Sequence, residues 1–147
     1  RRPAVAIVAI TDDDRLVLVE QFRVPVDRQV VELPAGLTGD TSGSELESLL
    51  ESAKRELEEE TGYTAAQWTE LMCGYSSAGL TDEEVIIFLA EDLERSSAGG
   101  GVEHEEIKVH EVPLGEVLAW LNERRAKIDF KIFAGLFALQ EYRAKTA

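Results

Sequence analysis

Five glutamates, Glu51, Glu56, Glu58, Glu59 and Glu60, fall within ten residues of the chain, and their spacing is its first chemical signal. On a helix, Glu56 and Glu60 are surface neighbours at a separation of four, and Glu59 is a neighbour of Glu56 at three. Like charges at these spacings destabilise a helix by roughly a few tenths of a kcal/mol per pair. Carboxylates near a helix C-terminus also oppose its dipole. A hard divalent cation such as Mg²⁺ is the simplest remedy for such crowding. The plainer alternative is an acidic face turned to solvent, and helix composition alone does not separate the two. Two other stretches carry candidate groups. Arg23 closes an apolar run, and a guanidinium fork can grip two phosphate oxygens at once, although an arginine at a strand end is common. Glu103, Glu105 and Glu106 flank His104 in a segment that on its own reads as a solvated acidic loop; His110, within a strand, reads as structural.

These residues need elements to position them. Leu46, Leu49, Leu50, Ala53 and Leu57 recur at three and four, which draws the apolar stripe of a helix. Ser44 stands as its N-cap with Glu47 three residues on, the spacing of a capping box, and Gly62 stops it. Ahead of the helix, Ala4 to Ile10 and Leu16 to Gln21 read as strands joined in a hairpin by the turn Thr11 to Arg15. Phe22 to Val26 reads as a loop, and Gln29 to Leu33 as a short strand. After the helix, Thr64 to Trp68 reads as a connector and Thr69 to Tyr75 as a strand. The loop Ser76 to Asp82 leads to a strand from Glu84 to Ala90 that runs on to Leu93. Arg95 to Gly101 is a flexible loop and Ile107 to Val112 a strand. Two helices close the chain, Pro113 to Arg124 with Val117, Leu118, Trp120 and Leu121 inward, and Asp129 to Lys145 with Ile132, Phe133, Leu136, Phe137 and Leu139 inward. The irregular alternation predicts a mixed α/β (α+β) fold. No internal repeat or linker divides residues 1–147, so a single domain is expected.

Composition narrows the function. The formal net charge of -14 argues against a nucleic-acid surface. The single cysteine, Cys73, excludes an internal disulfide framework and a multi-cysteine zinc site, and is expected to be a small buried residue. No stretch is long enough to span a membrane and no signal peptide is seen, so the cytoplasm is the expected compartment. The abrupt opening on Arg1-Arg2-Pro3, running straight into a strand, leads us to expect a segment ahead of it.

The stretch Arg55-Glu56-Leu57-Glu58-Glu59-Glu60-Thr61-Gly62-Tyr63 resembles the second half of the Nudix box, R-E-U-x-E-E-x-G-U with U apolar, and Glu47 lies eight residues before Arg55 as the box requires. One position departs: the glycine expected six residues ahead of Glu47, with five between, falls on Thr41. Its equivalent is Gly36, which leaves ten residues before Glu47, so Thr38 to Ser44 reads as an enlarged loop. Three more segments resemble the ADP-ribose pyrophosphatases of that family. Glu32-Leu33-Pro34-Ala35-Gly36-Leu37 is similar to their ELPAGL signature and Val19 to Arg23 to their VEQYR stretch. Tyr75 to Glu83 is similar to their SPGxSDE loop, with Ala78 where a proline is usual.

The resemblance implies a mixed sheet sandwiched between helices, and hydrolysis of a nucleoside diphosphate linked to another group, foremost ADP-ribose, with Mg²⁺ or alternatively Mn²⁺. It implies that Glu56 and Glu60 are metal ligands, with Glu59 a further candidate, and that the Ala35 carbonyl completes the metal site. Arg55 would orient the glutamates, with Glu47 behind it as a pairing partner. Arg23 would contact the phosphates and Glu32 the adenine or ribose. Glu103 would serve as general base and Glu105 as a further ligand, roles the two could exchange. A homodimer is implied as well. Other sugar nucleotides and dinucleotides, GDP-mannose, NADH or a diadenosine polyphosphate, are alternative substrates. A non-catalytic nucleotide sensor is the remaining alternative, disfavoured because Glu47, Arg55, Glu56, Glu59 and Glu60 are all intact.

Overall fold

Ala4–Ala9 (β1) is an unbroken run of small and β-branched residues, and it lies at the centre of the molecule with both faces covered. The computed structural model describes residues 2–39, 48–124 and 127–147. In chain order the strands are β1, Arg15–Arg23 (β2), Arg28–Glu32 (β3), Ala35–Leu37 (β4), Tyr63–Tyr75 (β5), Glu84–Arg95 (β6) and Lys108–Pro113 (β7). The helices are Leu49–Thr61 (α1), Val117–Asn122 (α2) and Lys131–Thr146 (α3). One sheet has the order β4-β1-β6-β5 and the other β3-β2-β7. β1 runs antiparallel to β4 and parallel to β6. The result is the mixed α+β architecture expected from the sequence.

Alternate residues of β1 feed two cores. Ala6 and Val8 join Leu16, Leu18, Leu33, Ile87, Leu121 and Ile132, between the sheets and the C-terminal helices. Val5, Ile7 and Ala9 join Ala53 and Leu57 of α1 with Ile86 and Phe88 of β6. Helices α1 and α3 therefore pack on opposite faces of β1. Gly135 lets α3 approach closely: a Cβ there would lie 2.7 Å from Val8 Cγ2 and 3.2 Å from Leu33 Cδ1.

Several local expectations are corrected. β1 and β2 are not a hairpin; they meet at the Ile10–Leu16 bridge and then enter different sheets. Both strands are apolar on both faces, so each takes an interior place, β2 between β3 and β7. Helix α1 starts at Ser48, not Ser44. The Ser48 hydroxyl accepts from the Glu51 N–H at 3.1 Å. The sequence repeats the Ser-x-x-Glu spacing four residues later, and the second copy caps. Ser44, Leu46, Glu47 and most of the enlarged loop lie outside the described residues. The expected connector and strand after α1 form one strand, β5, with a register irregularity between Glu70 and Met72. β5 is an edge strand, which leaves Cys73 exposed beside Glu84 Oε1 at 3.0 Å. The penultimate helix is shorter than expected, opening as a 3₁₀ turn over Leu114–Glu116. Leu118 and Phe137, placed inward from periodicity, are exposed. His110 is structural as expected, meeting Glu20 Oε1 at 2.8 Å and Trp120 edge-on.

Candidate active site

Helix α1 delivers the glutamates to the interior, not to an acidic outer face. Its apolar residues Ala53 and Leu57 pack against β1, and Glu56 and Glu60, four apart, follow them into burial. Glu58 stays exposed and Glu59 half-buried. Gly62, at φ 80°, closes the helix with its N–H on Glu58 O. The next two terminal carbonyls, Glu59 O and Glu60 O, accept at 2.9 Å from the N–H groups of Gly101 and Gly100. These bonds satisfy carbonyls that a helix end leaves open. They also tether the loop carrying Glu103 and Glu105 to the helix carrying Glu56 and Glu60.

The tether brings the groups around one cavity of about 520 Å³. Glu56, Glu59, Glu60 and Arg55 line it from α1, and Ala35 and Gly36 from β4. Arg23 and Glu32 line it from β2 and β3, and Glu105 from the tethered loop. Nearly all the sequence-predicted residues thus meet in one place. Glu103 does not line the cavity; it sits in the turn before Glu105 at φ 53°. The Glu105 carboxylate accepts from the Val102 N–H at 2.9 Å. Gln21, Glu83 and Lys131 also line the cavity and were not singled out from sequence. Gln21 and Glu83 lie inside the motif segments quoted above, whereas Lys131 carried no sequence signal.

Hydrogen bonding fixes the inner wall. Arg55 donates to Glu56 Oε1 at 2.9 Å and Glu59 Oε2 at 3.4 Å. The Ala35 N–H donates to Glu60 Oε2 at 3.0 Å. Arg23 and Glu32 form a two-pronged pair with each other, at 2.6 and 2.9 Å. Glu32 is buried and Arg23 reaches solvent. This bond is the first cause of the raised Arg23 pKa.

The electrostatics favour a cation. Burial first, then the charges of Glu56, Glu105 and Glu32, push the Glu60 carboxyl up to about 9 against the pull of the Ala35 N–H. Among the described residues no three such side chains converge as a ready-made ligand cluster. Glu56 and Glu60 are partnered by Arg55 and the Ala35 N–H. The donor set, hard oxygens on a rigid helix and strand end, suits Mg²⁺-type ions. Among the described residues no thiol or imidazole lines the cavity to suit a softer metal.

The chain is similar to several known proteins. The NUDIX domain family model matches residues 1–135. An ADP-ribose pyrophosphatase from Bacillus subtilis (strain 168) is 41% identical over 145 residues, covering 98% of this chain and 74% of that protein. A GDP-mannose pyrophosphatase from Pectobacterium atrosepticum is 36% identical over 120 residues, 76% of this chain and 59% of its own length. A solved structure of an ADP compounds hydrolase superposes with a TM-score of 0.80 at 28% identity, covering 100% of this chain and 75% of that one. The chain thus spans about three quarters of the first relative and under two thirds of the second. Among the described residues no helix is long and apolar enough to cross a membrane.

Proposed function

Because the chain belongs to the NUDIX domain family, we propose that it hydrolyses the pyrophosphate bond of a nucleoside diphosphate sugar, ADP-ribose first, giving AMP and ribose 5-phosphate. The observation that carries this reading is the convergence of buried Glu56 and Glu60 with Glu105, Ala35 and Arg23 around one cavity. The 41% identical ADP-ribose pyrophosphatase supports the substrate. GDP-mannose is the second reading, favoured by the 36% identical GDP-mannose pyrophosphatase and by Ala78 in place of the usual proline.

Glu56, Glu60, the Ala35 carbonyl and Glu105 would hold the metal, with Mg²⁺ the proposed ion and Mn²⁺ an alternative. When bound, such an ion neutralises diphosphate charge and acidifies a water. The protein's own groups do the rest. Arg55 holds Glu56 and Glu59 in place. Arg23, already in a planar pair with Glu32, turns its remaining donors to the substrate phosphates. A carboxylate of the 103–105 segment accepts the water's proton. Its place on the cavity wall favours Glu105 as that base, which leaves the metal to Glu56, Glu60 and the Ala35 carbonyl; with Glu103 as the base, Glu105 stays a ligand. Glu105→Gln is expected to lower kcat by roughly 10²–10⁴-fold, and Glu103→Gln by less. A larger loss in Glu103→Gln would return the base to Glu103.

We expect residues 1–147 to act as one domain in the cytoplasm, in a homodimer with no nucleic-acid or membrane partner. The net charge of -14 supports the absence of a nucleic-acid partner, and Met72 and Tyr75 of β5 offer exposed apolar surface for the dimer. The deciding assay offers ADP-ribose, GDP-mannose, NADH and a diadenosine polyphosphate with Mg²⁺ and separates products by chromatography. Selective release of AMP and ribose 5-phosphate is expected. Preferred turnover of GDP-mannose would move the substrate and keep the chemistry. Nucleotide binding without turnover would favour a sensor.

A further inference from the structure

Gly99, Gly100 and Gly101 follow one another in the left-handed region, at φ 71°, 98° and 90°, where glycine alone sits without steric cost. The N–H groups of Gly100 and Gly101 hold Glu60 O and Glu59 O at the end of α1. Further on, the Glu105 N–H donates to Val102 O at 3.0 Å, and buried Ile107 returns its N–H to Gly100 O at 3.2 Å. Residues 100–107 therefore form a loop closed on itself and fastened to the helix that carries Glu56 and Glu60.

Glu105 is exposed on this loop, and an exposed glutamate ordinarily hops among rotamers within nanoseconds. Here the Val102 N–H donates to its Oε2 at 2.9 Å and holds the carboxylate at the cavity wall. Gly101 leaves the space for that arrangement. A Cβ at position 101 would lie 2.6 Å from both Glu105 Cβ and Glu105 Oε2, and 3.1 Å from Ile107 Cδ1. The carboxylate oxygen could swing aside, but Glu105 Cβ is fixed to its backbone and Ile107 is buried. A side chain at 101 therefore drives Glu105 out of place. Gly100 is the contrast. It is equally left-handed, yet among the described residues a Cβ there would come no closer than 3.8 Å, to Ile107 O.

We propose that Gly101 is the positioning residue of Glu105. Its bare Cα lets the loop fold back so that the Val102 N–H delivers the carboxylate to the cavity that Glu56 and Glu60 line. The functional weight of this placement rests on the reading of Glu105 as base or ligand. The test is the kinetics of Gly101→Ala, Gly100→Ala, Glu105→Gln and the double variant Gly101→Ala/Glu105→Gln on ADP-ribose, with thermal melts alongside. Gly101→Ala is expected to lower kcat roughly 10- to 100-fold, as displacing a reacting group by about an ångström does. Gly100→Ala carries the same backbone strain and should lower the Tm alike, with a far smaller loss of kcat. Once Glu105 is glutamine, Gly101→Ala should cost little more kcat, because one residue acts through the other. Losses that multiply in the double variant, or equal losses of kcat in the two glycine variants, overturn the proposal.

The amide proton resonance of Val102, which needs no turnover, separates the placement from the reading beneath it. Glu105→Ala removes the acceptor and should move that resonance in wild type and in Gly100→Ala. In Gly101→Ala the acceptor is already displaced, so Glu105→Ala should move it far less. That result supports the placement even if Glu105→Gln keeps full kcat. An equal movement in all three backgrounds overturns it. Gly101→Ala should also lose less Tm in a Glu105→Gly background, where the colliding Cβ is gone, and an unchanged loss there overturns the collision on which the proposal stands.

Discussion

Gly36→Ala is expected to cut turnover by roughly 10- to 100-fold while the protein stays folded. A Cβ at Gly36 would overlap the Glu56 carboxyl group and lie 2.6 Å from Glu56 Cγ. The backbone at Gly36 is not left-handed, so alanine meets no conformational barrier there; the whole effect is steric. Glu56 cannot yield freely, because its carboxylate is held by Arg55 at 2.9 Å and its stem is buried in α1. The added methyl therefore displaces the proposed ligand without removing it. Activity should fall as in Glu56→Gln, and raising the Mg²⁺ concentration should recover part of it. Gly115→Ala, where an added Cβ meets nothing within 4 Å, is the matched control and should behave as wild type. Full activity in Gly36→Ala would mean that Glu56 is not needed where it stands.

The second large effect concerns Glu60. Glu60→Gln should abolish metal-dependent activity and yet flatten the pH dependence of the metal-free fold. In that fold the Glu60 carboxyl is pushed from 4.5 to about 9, by burial first and by its carboxylate neighbours next. The native state then holds one proton more than the unfolded chain between those values. Stability falls with pH wherever the native state binds more protons. The group's contribution is therefore greatest below pH 4.5 and is lost progressively up to about pH 9. Glutamine keeps an acceptor for the Ala35 N–H and has no proton to lose. Melts in a chelator from pH 5 to 9 should show wild type losing stability against the variant. A cation must also displace that proton, so metal affinity in wild type should climb with pH, by up to about tenfold per unit. A wild-type curve parallel to that of Glu60→Gln would mean that Glu60 is already ionised without metal.

The site was legible in the sequence where local spacing and chemistry coincide. Glu56, Glu60 and Arg55 sit on one helix, so their geometry follows from a period of 3.6 residues. Arg23, Glu32 and Ala35 came from motif segments, and the structure adds that Arg23 and Glu32 bind each other. Lys131 was invisible, because α3 reaches the cavity only through the pairing of its leading segment with Val31. The same limit explains the errors of fold. Ala4–Ala9 and Arg15–Arg23 read as neighbours because a short turn joins them, yet both are apolar on two faces and each needs a partner on either side. Periodicity ranked Phe137 with the core, but the contacts of α3 turn it outward. The capping-box spacing was read at Ser44 and Glu47, and the same spacing at Ser48 and Glu51, which caps the helix, was passed over.

The parallel register of β1 and β6 also sets the order in which the molecule can assemble. Ala4 meets Val85, so this pairing waits for the stretch between them to be gathered, a slow closure by the standards of local contacts. The proposed ligands and substrate contacts come from within the closed stretch and from beyond it. A partly collapsed chain offers a cation no finished seat. Its grip acts on the completed molecule, slowing escape from the native basin and leaving the rate of arrival nearly unchanged.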